Sequence, residues 1–490
     1  MTAEPPPELA LHPEPIERRP RPPSMAITVI CTLLVAGWVV YALLPVGSGT
    51  EHLEFPELSL ERIVTRGLDV RDALRRAPAW ERAAYLFPLK DDDTLDEALE
   101  WYQQLGRDAA SPASRLHALI LLAEAGMAEG TGATLAFANA VARAEAEGEV
   151  GPRGVAWLRA AYAQPGPGAA AAQTIIAEIR DVLGADWFAD TLVARVADRI
   201  GNQETLAAAR SAIATRGDEL LDRLRGLTIL SVGLIIAGGI ALVYVIRQRP
   251  DLTIGEAPLP PIWPMLDGYG LFVRGVFGYL AINALGEVAK YMLPWLSPHT
   301  PHFGVVTMVA TVPLLWCVVR YAEARGTTLR GVLGLSLPRG GRPFAVVTLS
   351  LLALSLGGGV VIDVAGNLLD VEESWTDFVQ EDLLWGSNWL ALSDAIDSTL
   401  WVPFVEEVAF RGLLYSTLRT HFGVLPSAGV SAAMFAGGHG YGLIGLLSVF
   451  WSGLLWAVGY ERTRSLLPGV VAHGVENLLA TVSFTAMYRF

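Results

Sequence analysis

Cysteine is nearly absent from this chain: Cys31 and Cys317 are the two in 490 residues. Both stand in apolar stretches, so a disulfide framework and a cysteine-based metal site both lack material. Charge is scarce as well. Asp, Glu, Lys and Arg make up 18% of the residues, against about 25% in ordinary soluble domains. The net charge of −14 argues against a nucleic-acid partner, because binding phosphate needs a positive field. Three hydrolytic templates are also missing. There is no His-Glu-x-x-His of a zinc metalloprotease, no Gly-x-Gly-Asp of an intramembrane aspartyl protease and no Gly-x-Ser-Gly nucleophile in an apolar run.

What is abundant is apolar. Hydrophobic residues reach 52% and mean hydropathy is +0.39, with the excess gathered into blocks long enough to span a bilayer. Residues 1–24 are rich in Pro and Arg and read as a disordered basic tail. Residues 25–45 form an uncharged run that reads as a transmembrane helix. A signal peptide is the competing reading, but the run exceeds a usual signal core and lacks a convincing cleavage site. Basic residues before it place the N-terminus in the cytoplasm. Residues 46–225 change character: acidic, alanine-rich and broken by EGTG, EGEVGPRG and QPGPG. Leu95, Ala98, Leu99, Tyr102 and Leu105 fall at helical spacing, so an all-helical soluble domain outside the cytoplasm is expected.

A second span at 226–246 ends in a basic RQR, and a proline-rich linker covers 247–269. Residues 270–490 are nearly all apolar, with further spans expected near 271–295, 303–321, 344–366, 393–418, 424–441, 443–460 and 466–487. Arginines between 320 and 342 mark a cytoplasmic loop, and VEESWTDFVQEDLLWG falls on the opposite side. The fold class is therefore all-α: a polytopic transmembrane bundle of the cell (inner) membrane with an inserted extracytoplasmic helical domain. Trp263, Trp295, Trp385, Trp389 and Trp401 suit interfacial anchoring.

Ionisable residues inside such spans are costly and so are functional candidates. Three clusters stand out: Glu406, Glu407 and Arg411; His439; and His473 with Asn477. Residues four apart share a helix face, so Glu407 and Arg411 can form an internal ion pair. Glu406 is turned about 100° away and is left to face a cavity. His473 and Asn477 look the same way. A buried carboxylate can act as a general base on water, and histidines can bind a metal or donate to a developing oxyanion. The bland alternative is a polar network that only holds helices together.

EEVAFR, then FAGGH, then HGVEN resemble, in order, the three motifs of the CPBP family, the CAAX-processing and bacteriocin-processing (Abi) intramembrane endopeptidases. The resemblance covers residues 327–490 well and those from about 270 loosely; LRGVLGLSLPRG looks like the loop that precedes the family's core helices. It implies an endopeptidase acting on membrane-associated protein or peptide substrates in the bilayer. Glu406 would activate water, His439 and His473 would bind a metal or stabilise the transition state, and Asn477 would assist as a donor. Glu406, His439 and His473 could hold one zinc or another divalent metal with a position open for water; they could equally act without metal. Two rivals are a non-catalytic scaffold or receptor that binds a partner through the outer domain, and a transporter using the polar pocket as an ion site. GYGLIG reads as close helix packing or a re-entrant turn, since no strand precedes it. Asp363 reads as a helix-end residue, Ser448 and Ser452 as packing residues, and Glu287 with Lys290 as a pair near a helix end.

Overall fold

The computed structural model describes residues 24–43, 50, 53–86, 94–108, 111–129, 133–164, 166–248, 250–292, 301–337, 340–371 and 374–490. Residues 1–23 of the basic tail, Trp295 and the side chains of Glu287 and Lys290 lie outside the described set. Among the described residues every regular element is helical.

α1 (Met25–Leu43) is apolar throughout. A layer of amphipathic helices follows: α2 (Pro56–Arg76), α3 (Ala79–Leu86), α4 (Thr94–Asp108), α5 (Pro112–Glu129), α6 (Ala133–Ala146), α7 (Pro152–Tyr162), α8 (Ala169–Leu183) and α9 (Trp187–Arg199). Local chemistry sets their ends. Pro opens α2 and α7, where no backbone donor is needed. Asp186 caps α9 by accepting from Ala189 N at 2.7 Å. Leu60, Leu68, Ile120, Leu158, Phe188 and Val193 lie within one core. Buried charge in this layer is paired: Arg216 donates to Asp69 at 3.0 Å and to Asp190 at 2.7 Å.

α10 (Gln203–Gln248) runs 46 residues without a break, about 69 Å at 1.5 Å per residue. A hydrocarbon core is only about 30 Å thick, so this helix serves two environments. Leu206, Ala209, Leu220 and Leu221 are buried in its first half, while Ile229, Ile236 and Ile240 point outward in the second. The passage from charged to apolar sequence near 225 is thus not a break in the chain's secondary structure.

Next come α11 (Met265–Met292), α12 (Pro301–Ala324), α13 (Leu329–Leu333), α14 (Gly341–Leu368) and the short α15 (Glu381–Trp385). α16 is a continuous helical run: Asn388–Ile396, a π turn at Asp397–Trp401, Val402–Glu406, a longer π segment at Glu407–Tyr415, and Ser416–Leu418. α17 (Val424–Gly437), α18 (Leu443–Thr463) and α19 (Leu467–Phe484, extended by a π turn to Arg489) complete the bundle. Among the described residues α10, α14, α18 and the Leu467–Arg489 helix are long and apolar enough to cross a membrane; Met25–Val40 and α17 are shorter apolar helices. The chain is a multi-pass, all-α membrane protein. Small residues let its helices approach: a Cβ at Gly238 of α10 would stand 2.0 Å from Leu349 O and 2.7 Å from the Ala353 side chain of α14.

The acidic stretch between α14 and α16 is not a free loop. Trp375, Leu383 and Leu384, with Phe484 of α19, are buried in the same core as Leu60 and Phe188. Glu381 accepts from Glu54 N at 2.6 Å, Phe55 N at 2.8 Å and Ser59 Oγ at 3.0 Å. Arg489 holds the other edge through Leu383 O at 2.6 Å and Gly386 O at 2.7 Å. The amphipathic layer is therefore docked on the bundle. Three of the expected anchors are packed instead: Trp263 is 3% exposed and donates to Thr417 Oγ1 at 2.9 Å, Trp385 donates to Ser59 Oγ at 3.2 Å and Trp401 to Thr311 Oγ1 at 3.0 Å, whereas Trp389 is 73% exposed.

Candidate active site

α16 carries the first cluster on a segment where i→i+5 bonding replaces the α pattern, a local widening often found at functional sites. Glu407 Oε1 lies 2.9 Å from Arg411 Nη1, and the two side chains are 1% and 0% exposed. The guanidinium sits over the rings of Phe435 (4.2 Å) and Trp456 (5.0 Å), which offer their π faces in place of water. Two glycines make room. A Cβ at Gly453 would meet Arg411 Nη2 at 2.8 Å, and one at Gly469 would meet Glu407 Oε2 at 3.2 Å.

His473, on α19, stands between the two glutamates. Its Nδ1 is 3.4 Å from Glu407 Oε1 and its Nε2 is 3.6 Å from Glu406 Oε2. Its ring stacks on Trp456, centroids 4.2 Å apart and planes 19° from parallel. The pairing of Glu407 is thus wider than a single i, i+4 contact: it serves Arg411 and His473 together. Glu406 differs from its neighbour in access, with 27% of its side chain exposed against 1%.

His439 sits in the turn between α17 and α18. Its Nδ1 donates to Phe435 O at 2.8 Å, which leaves Nε2 as the free acceptor of a neutral ring. Phe435 meets both histidines edge-on, at 4.7 Å from His439 and 5.9 Å from His473. The turn is tied to the docked segment, since Gly442 N donates to Asp377 Oδ2 at 2.7 Å. Asn477 holds architecture too: its Nδ2 donates to Ser398 O, at 2.8 Å, in the first π turn of α16. A cavity of about 700 Å3 opens beside these groups, with His439, His473 and Asn477 in its wall. Glu406 is not one of the lining residues and borders the cavity through His473.

Whether Glu406, His439 and His473 suit a metal is a question of their spacing. Among the described residues no group of three or more His, Cys, Asp or Glu side chains stands close enough to hold an ion. One nitrogen of His439 is committed to a backbone carbonyl, and both nitrogens of His473 face carboxylates. The trio does not gather as a ligand set.

The structure adds residues that the motifs did not single out. Glu476, three residues after His473, lines the cavity, and its Oε1 has no hydrogen-bond partner. A carboxylate at i+3 from a motif histidine, inside an apolar run, was a readable signal. Asp363, Ser448 and Ser452 line the same cavity rather than ending or packing helices alone. Trp456 and Asp377 carried no signal, because a tryptophan in a span and an acid in an acidic loop are both commonplace.

Comparison with known proteins agrees with the motif resemblance. A family model described as Rce1-like, type II CAAX prenyl endopeptidase, matches residues 388–479, the segment that holds all three motifs and fits a CPBP-type membrane protease. Neither a curated protein nor a solved structure matches the chain.

Proposed function

We propose, taking the Rce1-like match of residues 388–479 as premise, that this chain is an intramembrane endopeptidase that hydrolyses peptide bonds of membrane-associated protein substrates. The observation that carries the reading is the division of labour between adjacent glutamates. Glu407 is spent on Arg411 and His473, while Glu406 keeps an accessible carboxylate 3.6 Å from the imidazole of His473. Glu406 takes a proton from water as the water oxygen attacks the scissile carbonyl carbon. The carbonyl oxygen becomes an oxyanion, for which the candidate donors are His439, through Nε2 once its ring is protonated, and His473. The C–N bond then breaks, and the proton held by Glu406 passes to the leaving amine. Asn477 acts by holding α19 to the π turn of α16.

Residues 1–24 then lie in the cytoplasm and residues 46–225 outside it, with the protease unit at 270–490. Glu406→Gln keeps the shape of the side chain and removes the base. The expected result is loss of peptide cleavage by purified protein with an unchanged unfolding profile. Cleavage at the wild-type rate would remove Glu406 from the chemistry. Elemental analysis of the same samples tests the metal-dependent alternative; one zinc per chain, lost in His439→Ala, would support it.

A further inference from the structure

The cavity beside the two histidines is polar in a specific way. Its wall takes in α10 (Ser231, Ile235), α14, the docked segment at Asp377, α18 and α19. Three carboxylates line it, Asp363, Asp377 and Glu476, and no Lys or Arg does among the described residues. Asp377 is engaged by Gly442 N and Glu476 shares a side-chain hydrogen bond with Ser452, but Glu476 Oε1 is buried without a hydrogen-bond partner. Two neutral groups share that condition. Ser355 and Trp456 are each 3% exposed, both line the cavity, and neither Ser355 Oγ nor Trp456 Nε1 has a partner. Native proteins rarely leave buried polar atoms unpaired, so these three point to a ligand that completes them.

Their chemistry restricts what that ligand is. An indole N–H can only donate, so it requires an acceptor such as a peptide carbonyl. A carboxylate oxygen can only accept, and a cation satisfies it best. Ser355 serves either role. An isoprenoid or acyl chain carries neither an acceptor nor a cation, and would leave Glu476 Oε1, Ser355 Oγ and Trp456 Nε1 unpaired. A peptide segment with a basic side chain supplies both.

We propose that this cavity is a substrate subsite that takes a lysine or arginine side chain next to the scissile bond, with Glu476 as its counter-charge and Trp456 and Ser355 as partners of the adjoining peptide group. This rests on the endopeptidase reading. It adds that selection at this site is by positive charge and not by a lipid.

The test uses full-length protein in detergent and matched peptides that carry arginine or norleucine at each position near the cleaved bond. The expected result is a preference for arginine at one position of about tenfold to hundredfold, the range of a charge-assisted hydrogen bond. Glu476→Gln should collapse that ratio toward one. Binding of the same fluorescent peptides to Glu406→Gln protein gives a readout that needs no turnover, and the same preference is expected there. Equal treatment of arginine and norleucine peptides by the wild type, in cleavage or in binding, overturns the subsite whether or not Glu476→Gln folds. A ratio unchanged in a folded Glu476→Gln protein overturns the role of Glu476. Absence of any cleavage, with the binding preference intact, counts against the endopeptidase reading and leaves the cationic subsite standing.

Discussion

Replacing Arg411 with methionine leaves Glu407 buried without its cation. Glu407 is 1% exposed, so water cannot take over, and its remaining partner is His473 Nδ1 at 3.4 Å. Removing one member of a buried ion pair costs about 3–5 kcal/mol. Loss of the cation over Phe435 and Trp456 adds about 0.5–2 kcal/mol, and thioether–aromatic contacts of the new methionine return a similar amount. The net expectation stays at about 3–5 kcal/mol. Glu407→Gln should cost less, about 1–3 kcal/mol, because Arg411 keeps both aromatic faces and an amide oxygen can still accept from it. The double variant Glu407→Gln/Arg411→Met carries no unpaired charge. It should be more stable than the sum of the single changes predicts by about 1–3 kcal/mol. Reversible unfolding in mixed micelles, followed by tryptophan fluorescence, measures all four corners of this cycle. A wild-type unfolding midpoint for Arg411→Met, or no coupling in the cycle, would refute the account of how this helix tolerates its charges.

Two further outcomes follow from geometry. Gly238→Ala should lower stability by about 1–3 kcal/mol in the same assay, because its Cβ would press on the backbone of α14. Gly239→Ala, with nothing within 4 Å of a Cβ, is the control and should leave the midpoint unmoved. In the amphipathic layer, burial pushes His117 down to about 3 from the ordinary 6.5. The fold therefore favours its neutral form, and the stability this gives is present above pH 6.5 and lost as pH falls toward 3. Between pH 7 and pH 4.5 the loss is about 2–3 kcal/mol. Glu61 and Asp69, raised by burial to about 7 and about 6, run the opposite way, so the useful quantity is a difference between proteins. The gap between wild type and His117→Phe should move by that amount over this range in favour of the variant. A gap constant with pH would show that His117 does not titrate against the fold.

The membrane bundle was legible because its physics is local. Uncharged runs such as Met25–Leu43 and the apolar half of α10 declare themselves wherever they sit, since lipid rewards composition. The ion pair was legible for the same reason: Glu407 and Arg411 lie four residues apart, and helix geometry alone brings them together. The resemblance makes Asn477 a donor at the site; its Nδ2 donates to Ser398 O, 79 residues away in sequence. In the first π turn of α16 Val402 N donates to Asp397 O and Pro403 has no N–H, so Ser398 O is left to accept from α19, a meeting that the spacing of His473 and Asn477 does not encode.

Sequence by itself determined which segments are apolar enough for a membrane and which residue types the site has to work with, through hydropathy and motif spacing. Tertiary structure alone decided how those residues are shared. It put His473 between both glutamates, laid Trp456 against it, and joined the acidic stretch at 374–386 to the core of the amphipathic layer. It also left Glu476, Ser355 and Trp456 with unpaired polar atoms around one cavity. Each of these depends on helices distant in the chain meeting at one place, and distance along the chain carries no record of that meeting.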